Sequence, residues 1–496
     1  MARRAIPYNS PMHAITSRRI GLPLLLAILA AGCASRPINQ PIEHVDRGAG
    51  YRIAGRAGGA ASADDTLMVL AFSGGGTRAA AFSYGILEEL KRTQVTIDGK
   101  PSRLLDRVDM ITGVSGGSFT ALSYALYGDK LFDEYEKRFL KRNVQGELIT
   151  RLLSPSNWSA LWSKSFGRSE MAAQLYDEIL FEGATFADLR ERPGPYVIVT
   201  ATDISTGSRL GFVQGEFDLI CSDLSRVPLS RAAAASSAVP FVMSPVTLNN
   251  YGGNCGYAEP EWMRSIKNSG GRSRPAGRAL ARLKEIEGFQ DSVHRPYLHL
   301  VDGGVSDNLG MRAVLESMET IEASASFRRN ARIDQLKRIV VVVVNSLSVP
   351  RTRWDESERP PNDFLILLKA TGVPIDRYSY EAVELLKDIV ARWKIVRELR
   401  QTGAFANGGN PVFARAVDMP DIDLFAINVS FDELPQGPER DYFNNLPTSF
   451  SLTDEEVDRL RAVAGTILRS SPEYQRLLTD LSSAGQRSAS PAGAAP

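Results

Sequence analysis

The chain reads as an α/β protein: a three-layer molecule with a mostly parallel central sheet, helices on both faces, and a mainly helical C-terminal extension. Three observations predict this. Ile339 to Val344 is one unbroken β-branched run, the composition of a strand covered on both faces. Apolar strands near residues 67, 108, 196, 297 and 339 alternate with helical patterns. Two of those strands run directly into glycine-rich turns that open helices.

In chain order, Arg18-Arg19, an apolar run from Ile20 to Ala31 and then Gly32-Cys33 make an export signal over 1–32. The run is too short to span a bilayer comfortably. Cys33 after Ala30-Ala31-Gly32 resembles a bacterial lipobox, with Ala30 where Leu is usual. Lipid on Cys33 would anchor the mature chain to a membrane surface. Ala34 in the next position favours the outer membrane of a bacterial envelope. The competing reading is cleavage by an ordinary signal peptidase and release of a soluble protein. Residues 33–63, rich in Gly, Ala, Arg and Pro, are expected to be a tether.

An apolar fraction of 43% in 496 residues supports one large core, placed at 64–346. The formal charge is +1, and the signal removes four arginines, leaving 54 basic against 57 acidic residues. That balance argues against nucleic-acid binding.

Thr66 to Phe72 reads as a buried strand and runs into Ser73-Gly74-Gly75-Gly76-Thr77-Arg78, followed by a helical pattern from Ala79 to Leu90. Consecutive glycines leave backbone amides open to a developing oxyanion. A phosphate cradle is the competing reading, but no Lys-Ser or Lys-Thr follows, and the third glycine of a dinucleotide fingerprint is missing. The next strand begins at Val108 and ends in Gly113-Val114-Ser115-Gly116-Gly117. Phe119, Leu122 and Leu126 then share a helical face. Strand, Gly-x-Ser-x-Gly and helix together are the setting of a serine nucleophile.

Tyr297 to Asp302 is a strand ending in Asp302-Gly303-Gly304, so an acid stands at a strand tip beside flexible backbone. Four histidines are available as bases: His13, His44, His294 and His299. His13 falls in the export signal and His44 in the tether. His299, three residues before Asp302, points to the opposite face of the same strand and reads as a packed core histidine. His294, in a polar loop, stays open as a base. None follows Asp302, so the order Ser, acid, His cannot be filled. The economical reading is a dyad in which Asp302 acts directly on Ser115.

Those three motifs, in that order, resemble the patatin-like phospholipase family, over about residues 66–310. Thr202 to Gly207 and Ala233 to Pro240 also resemble family segments. The resemblance implies a Ser115–Asp302 dyad and an oxyanion hole at Gly74, Gly75, Gly76 and Gly116. The implied activity is a phospholipase A-type serine lipid acyl hydrolase that cleaves carboxylic esters of membrane lipids with no metal or cofactor. The family often has Gly after the loop arginine, where this chain has Ala79. Arg78 is expected to orient the loop, meet a lipid phosphate, or form a surface ion pair. Rival readings are an esterase or acyltransferase on non-phospholipid substrates, and a non-catalytic lipid-binding surface lipoprotein.

After Cys33 two cysteines remain, Cys221 and Cys255; an even remainder in an exported protein suggests a disulfide. Asp203 reads as a turn residue. Arg231 to Ser237 is a small-residue helix. Arg264 to Gln290 looks like an insertion, either a lid or a solvated excursion. In the extension, 347–481, Tyr378 to Thr402 is an amphipathic helix whose apolar face packs on its own domain. Ile422 to Phe431 is a strand. Thr453 and Glu456 are spaced as a capping box before a helix. Residues 482–496 are low in complexity and expected to be disordered.

Overall fold

The computed structural model describes residues 35–53, 65–97, 100–161, 163, 166–259, 264, 277–352, 354–402 and 419–489. The export signal, Cys33, residues 54–64 of the tether region, residues 265–276 of the Arg264 to Gln290 insertion and residues 490–496 lie outside them.

A central sheet runs in the order β10-β9-β1-β4-β5-β8-β7, with β6 (Arg209–Gly211) added to β5. Its parallel part comprises β1 (Thr66–Phe72), β4 (Met110–Gly113), β5 (Tyr196–Asp203), β9 (Arg338–Asn345) and β10 (Asp423–Ser430). The hairpin β2 (Gln94–Ile97) and β3 (Lys100–Arg103) stands apart. Side-chain alternation along β9 explains the three layers. Val340, Val342 and Val344 face one core, which holds Phe82, Phe119 and Leu460. Ile339, Val341 and Val343 face a second core with Met318, Leu386 and Trp393. A strand buried on both sides cannot alternate polar and apolar residues, hence its unbroken valine run.

The first core packs helices α1 (Gly76–Arg92), α2 (Gly116–Tyr127), α3 (Val144–Leu153) and α4 (Leu229–Ser236). The second packs α6 (Arg312–Ala323) and α7 (Asp363–Gln401). Between them in sequence, α5 (Gly277–Gln290) follows β7 (Val246–Asn249) and precedes β8 (Tyr297–Asp302). Leu283, Ile286 and Phe289 of α5 are buried, and buried Arg282 bridges to Glu216 and Glu285, so this part of the insertion is packed structure.

Two expectations are corrected at the chain's ends. Residues 35–53 are not a loose tether: Ile42 N–H donates to Cys221 O (2.9 Å), Val45 N–H to Cys255 O (3.2 Å), and Tyr51 is 1% exposed beneath Tyr196 and Phe186. Residues 482–489 continue the last helix, α9 (Pro472–Ala489), rather than opening a tail. Beyond residue 346 the chain supplies the edge strand β10, paired in register with β9, and α8 (Asp454–Ser470), which lies along α1. The Thr453–Glu456 capping box closes the start of α8 in both directions.

Two more corrections concern β8. It runs antiparallel to β5 and β7, so it is not one of the parallel strands. Its overlap with β5 is short, Ala201 to Asp203 against Asp302 to Leu300. The carboxyl end of β8 therefore arrives at the carboxyl half of β5 from the opposite direction. His299 is exposed, not packed in the core, and meets Thr247 Oγ1 through Nδ1 at 3.0 Å. Among the described residues no helix is long and apolar enough to cross a membrane.

Candidate active site

Ser115 sits between β4 and α2 with φ 48° and ψ −120°, a conformation that L-residues rarely hold. The turn is forced by close packing on both sides. A Cβ on Gly113 would lie 2.9 Å from Ser118 Cα, and one on Gly117 would lie 2.6 Å from Ser73 O. Side chains at these positions would push strand and helix apart and relax the turn.

Ser115 Oγ donates to Asp302 Oδ2 at 2.8 Å. Both residues are buried, 5% and 7% exposed. The other carboxylate oxygen, Oδ1, accepts the Gly304 N–H at 2.8 Å. Burial pushes the Asp302 carboxyl up to about 6, while the Gly304 N–H and the Ser115 hydroxyl pull it down. A carboxylate with its proton affinity raised toward neutrality, directly on a serine hydroxyl, is suited to accept that proton and return it. His294 is on the surface, paired with Asp291 at 3.0 Å.

The glycine loop lies against the serine turn backbone to backbone: a Cβ on Gly116 would stand 1.9 Å from Gly76 O. Gly75 and Gly76 hold φ of 141° and 61°, at the start of α1. Gly76 and Gly116 are each the first residue of a helix, where N–H groups have no intrahelical acceptor. The N–H groups of Gly75, Gly76 and Gly116 have no acceptor among the described residues, and the positive ends of two helix dipoles meet there. Gly74 differs: its N–H donates to Asn308 O at 2.9 Å, so it is occupied in anchoring the loop and is not a free oxyanion donor. The Ser115 N–H is occupied as well, by Ser236 Oγ at 2.9 Å.

Arg78 does not meet solvent and forms no ion pair among the described residues. It is 2% exposed, with Nε on Ser346 O (2.8 Å), Nη1 on Leu446 O (2.9 Å) and Nη2 on Thr448 Oγ1 (3.0 Å). Desolvation pulls it down to about 10. With its donors committed to neutral oxygens, it holds the glycine loop against the C-terminal part of the chain. This corrects the phosphate and surface-pair readings. Asp203 is a turn residue, fully buried on Arg295 and Thr206.

Sequence reasoning missed Ser236, Thr202 and Asn308. Ser236 donates to Thr200 O (2.7 Å) while accepting from the Ser115 N–H. Thr202 Oγ1 holds Asp302 O (3.0 Å). The Ala233–Pro240 and Thr202–Gly207 segments had signalled themselves, but serines and threonines in such runs carry no mark of their partners. Cys221 and Cys255 are bonded, 34 residues apart.

An apolar cavity of about 360 Å³ opens from Ser115 and Gly76. Leu148, Ile149 and Leu152 of α3 line it with Met171, Met243 and Phe450. Among the described residues no group of three or more His, Cys, Asp or Glu could hold a metal ion.

An α/β sheet that presents a serine on a strained strand-to-helix turn, bonded to an acid and facing free amides, is the arrangement of a serine hydrolase. Residues 70–315 form a patatin-like phospholipase domain, matching the model of that family of carboxylic ester hydrolases. Among solved structures, human GIVD cytosolic phospholipase A2 is similar at 13% identity and a TM-score of 0.41, over 85% of this chain and 63% of that one. The same human enzyme in complex with methyl gamma-linolenyl fluorophosphonate gives 14%, 0.38, 85% and 60%. VipD from Legionella pneumophila gives 11%, 0.27, 90% and 71%. The chain thus spans less than two thirds of the length of the human phospholipase. No curated protein matches the sequence.

Proposed function

We propose that this protein is a serine lipid acyl hydrolase of the phospholipase A type. The observation that carries the reading is the 2.8 Å hydrogen bond from Ser115 Oγ to Asp302 Oδ2, with Ser115 lining an apolar cavity. Ser115 Oγ attacks the ester carbonyl carbon as its proton passes to Asp302 Oδ2. The N–H groups of Gly75, Gly76 and Gly116 take the charge that gathers on the carbonyl oxygen. The tetrahedral adduct collapses, the bond to the alcohol oxygen breaks, and Asp302 returns the proton to that oxygen. Water, deprotonated by Asp302, then attacks the acyl-serine ester, and the proton goes back to Ser115 Oγ as the fatty acid leaves. The cavity takes the acyl chain.

Lipid on Cys33 would hold the enzyme at the membrane that carries its substrate, in the outer membrane of a bacterial envelope. A single acyl chain binds a membrane only marginally, so the two or more chains of a lipoprotein anchor are needed for a stable hold.

Purified mature protein treated with a fluorophosphonate and analysed by intact mass should gain one adduct, absent from Ser115→Ala. Asp302→Asn should lose both labelling and release of fatty acid from phospholipid micelles. Full turnover in either variant would remove the dyad. Turnover of short soluble esters with none of phospholipid would make the protein an esterase instead.

A further inference from the structure

The cavity at Ser115 is closed on one side by residues far outside the 70–315 domain. Leu446 to Phe450 lies between the helix ending at Asn444 and α8. Thr448, Ser449 and Phe450 all line the cavity. The segment is fixed to the oxyanion loop at adjacent points. Thr77 N–H donates to Ser449 O (2.8 Å), and Gly76 pairs with Ser449 as an isolated bridge. A Cβ on Gly76 would lie 2.3 Å from Ser449 O, so glycine is what admits the segment this closely. Arg78 adds its bonds to Leu446 O and Thr448 Oγ1.

Phe450 is also held from the far side. Its N–H donates to Gln145 Oε1 (3.2 Å), and its carbonyl accepts the Gln145 N–H (3.1 Å) at the start of α3. Its ring meets Phe119 edge to face at 5.6 Å and lies 6.3 Å from Tyr176. Phe119 and Tyr176 are fully buried, whereas Phe450 is partly exposed and borders the cavity. Phe450 follows directly on Ser449, the residue bonded to the oxyanion loop, and its ring lines the same cavity as Ser115.

We propose that Phe450 determines acyl-chain preference, by limiting how much chain the cavity accepts beyond Ser115. This rests on the acyl-hydrolase reading of the same site. Specificity of this kind follows from volume, because each methylene that a pocket accepts or refuses changes selectivity by about 10-fold or more.

The test is a series of p-nitrophenyl esters from butanoate to hexadecanoate, with kcat/KM measured for the parent, Phe450→Ala, Phe450→Leu and Phe450→Trp. The hexadecanoate-to-butanoate ratio should rise about 10-fold in Phe450→Ala, rise less in Phe450→Leu, and fall in Phe450→Trp. Circular dichroism and melting temperature show which variants fold, and Phe450→Leu serves if Phe450→Ala does not. An unchanged ratio in a folded variant overturns the proposal. Binding of the same fatty-acid series, measured calorimetrically in a Ser115→Ala background with and without the Phe450 change, separates the two readings. If the parent hydrolyses no ester, the acyl-hydrolase reading fails. The binding series then decides Phe450 alone: a shift toward longer chains supports its role, and identical profiles refute it.

Discussion

Gly116 and Gly76 touch through their backbones: the position of a Cβ on Gly116 is 1.9 Å from Gly76 O. This contact joins the serine turn to the glycine loop and brings the two sets of free amides together. Gly116→Ala should therefore separate them. Labelling of Ser115 by a fluorophosphonate is expected to slow at least about 100-fold, as for loss of one oxyanion donor. Labelling at the parental rate would show that the loop is not part of the oxyanion site.

In the proposed mechanism the buried Asp302 carboxyl, raised to about 6, is ionised when it accepts the serine proton. Ester kcat/KM should rise with pH through about 6 and level above it. His294→Ala, at a surface site, should leave both the rate and this limb unchanged. The same shift has a sign for stability. The folded value lies above the ordinary 3.8, so the native state binds the proton more tightly. Stability contributed by that proton is present below the unfolded value and is lost as pH rises through about 6. Asp302→Asn should melt no lower than the parent at pH 8. A marked drop in its melting temperature would mean that the charge stabilises the fold.

Ser236 Oγ accepts the Ser115 N–H and donates its own hydroxyl hydrogen bond to Thr200 O. Ser236→Ala leaves both groups buried without their partner. A fall of about 10-fold in kcat is expected, equivalent to about 1.4 kcal/mol, with KM little changed. A change in KM alone would assign Ser236 to substrate binding.

Arg78→Met removes the donors to Ser346 O, Leu446 O and Thr448 Oγ1 in the interior. Urea unfolding should show a loss of about 2–4 kcal/mol. If Arg78 instead served a lipid phosphate, stability would hold and the preference for phospholipid over neutral ester would vanish.

The Cys221–Cys255 bond closes a 34-residue separation and ties the 35–53 strap to the domain through Ile42 and Val45. Replacing both cysteines by alanine should cost about 4 kcal/mol by loop-closure entropy. Unfolding at the same urea concentration with and without reductant would contradict this.

The sequence by itself determined the layers and pointed to Ser115 and Asp302, which the fold places 2.8 Å apart. A valine run marks a strand buried on both faces, and glycines around Ser115 mark a turn that tolerates no Cβ, because both constraints are local. Chain order excluded only the sequence Ser, acid, His; His294 stayed open until the fold placed it on the surface with Asp291. What only the tertiary structure decided concerns partners far apart in the chain. The direction of β8 depends on the path by which the chain returns to β5, and the pattern of Tyr297–Asp302 is the same either way. The fate of Arg78 depends on carbonyls at 346 and 446, and a carbonyl is present at every residue. The occupied N–H of Gly74 and the wall at Phe450 are set by docking of Asn308 and of the C-terminal segment. Backbone hydrogen bonds and contacts of this range carry no residue-type signature, so they exist only once the chain has folded.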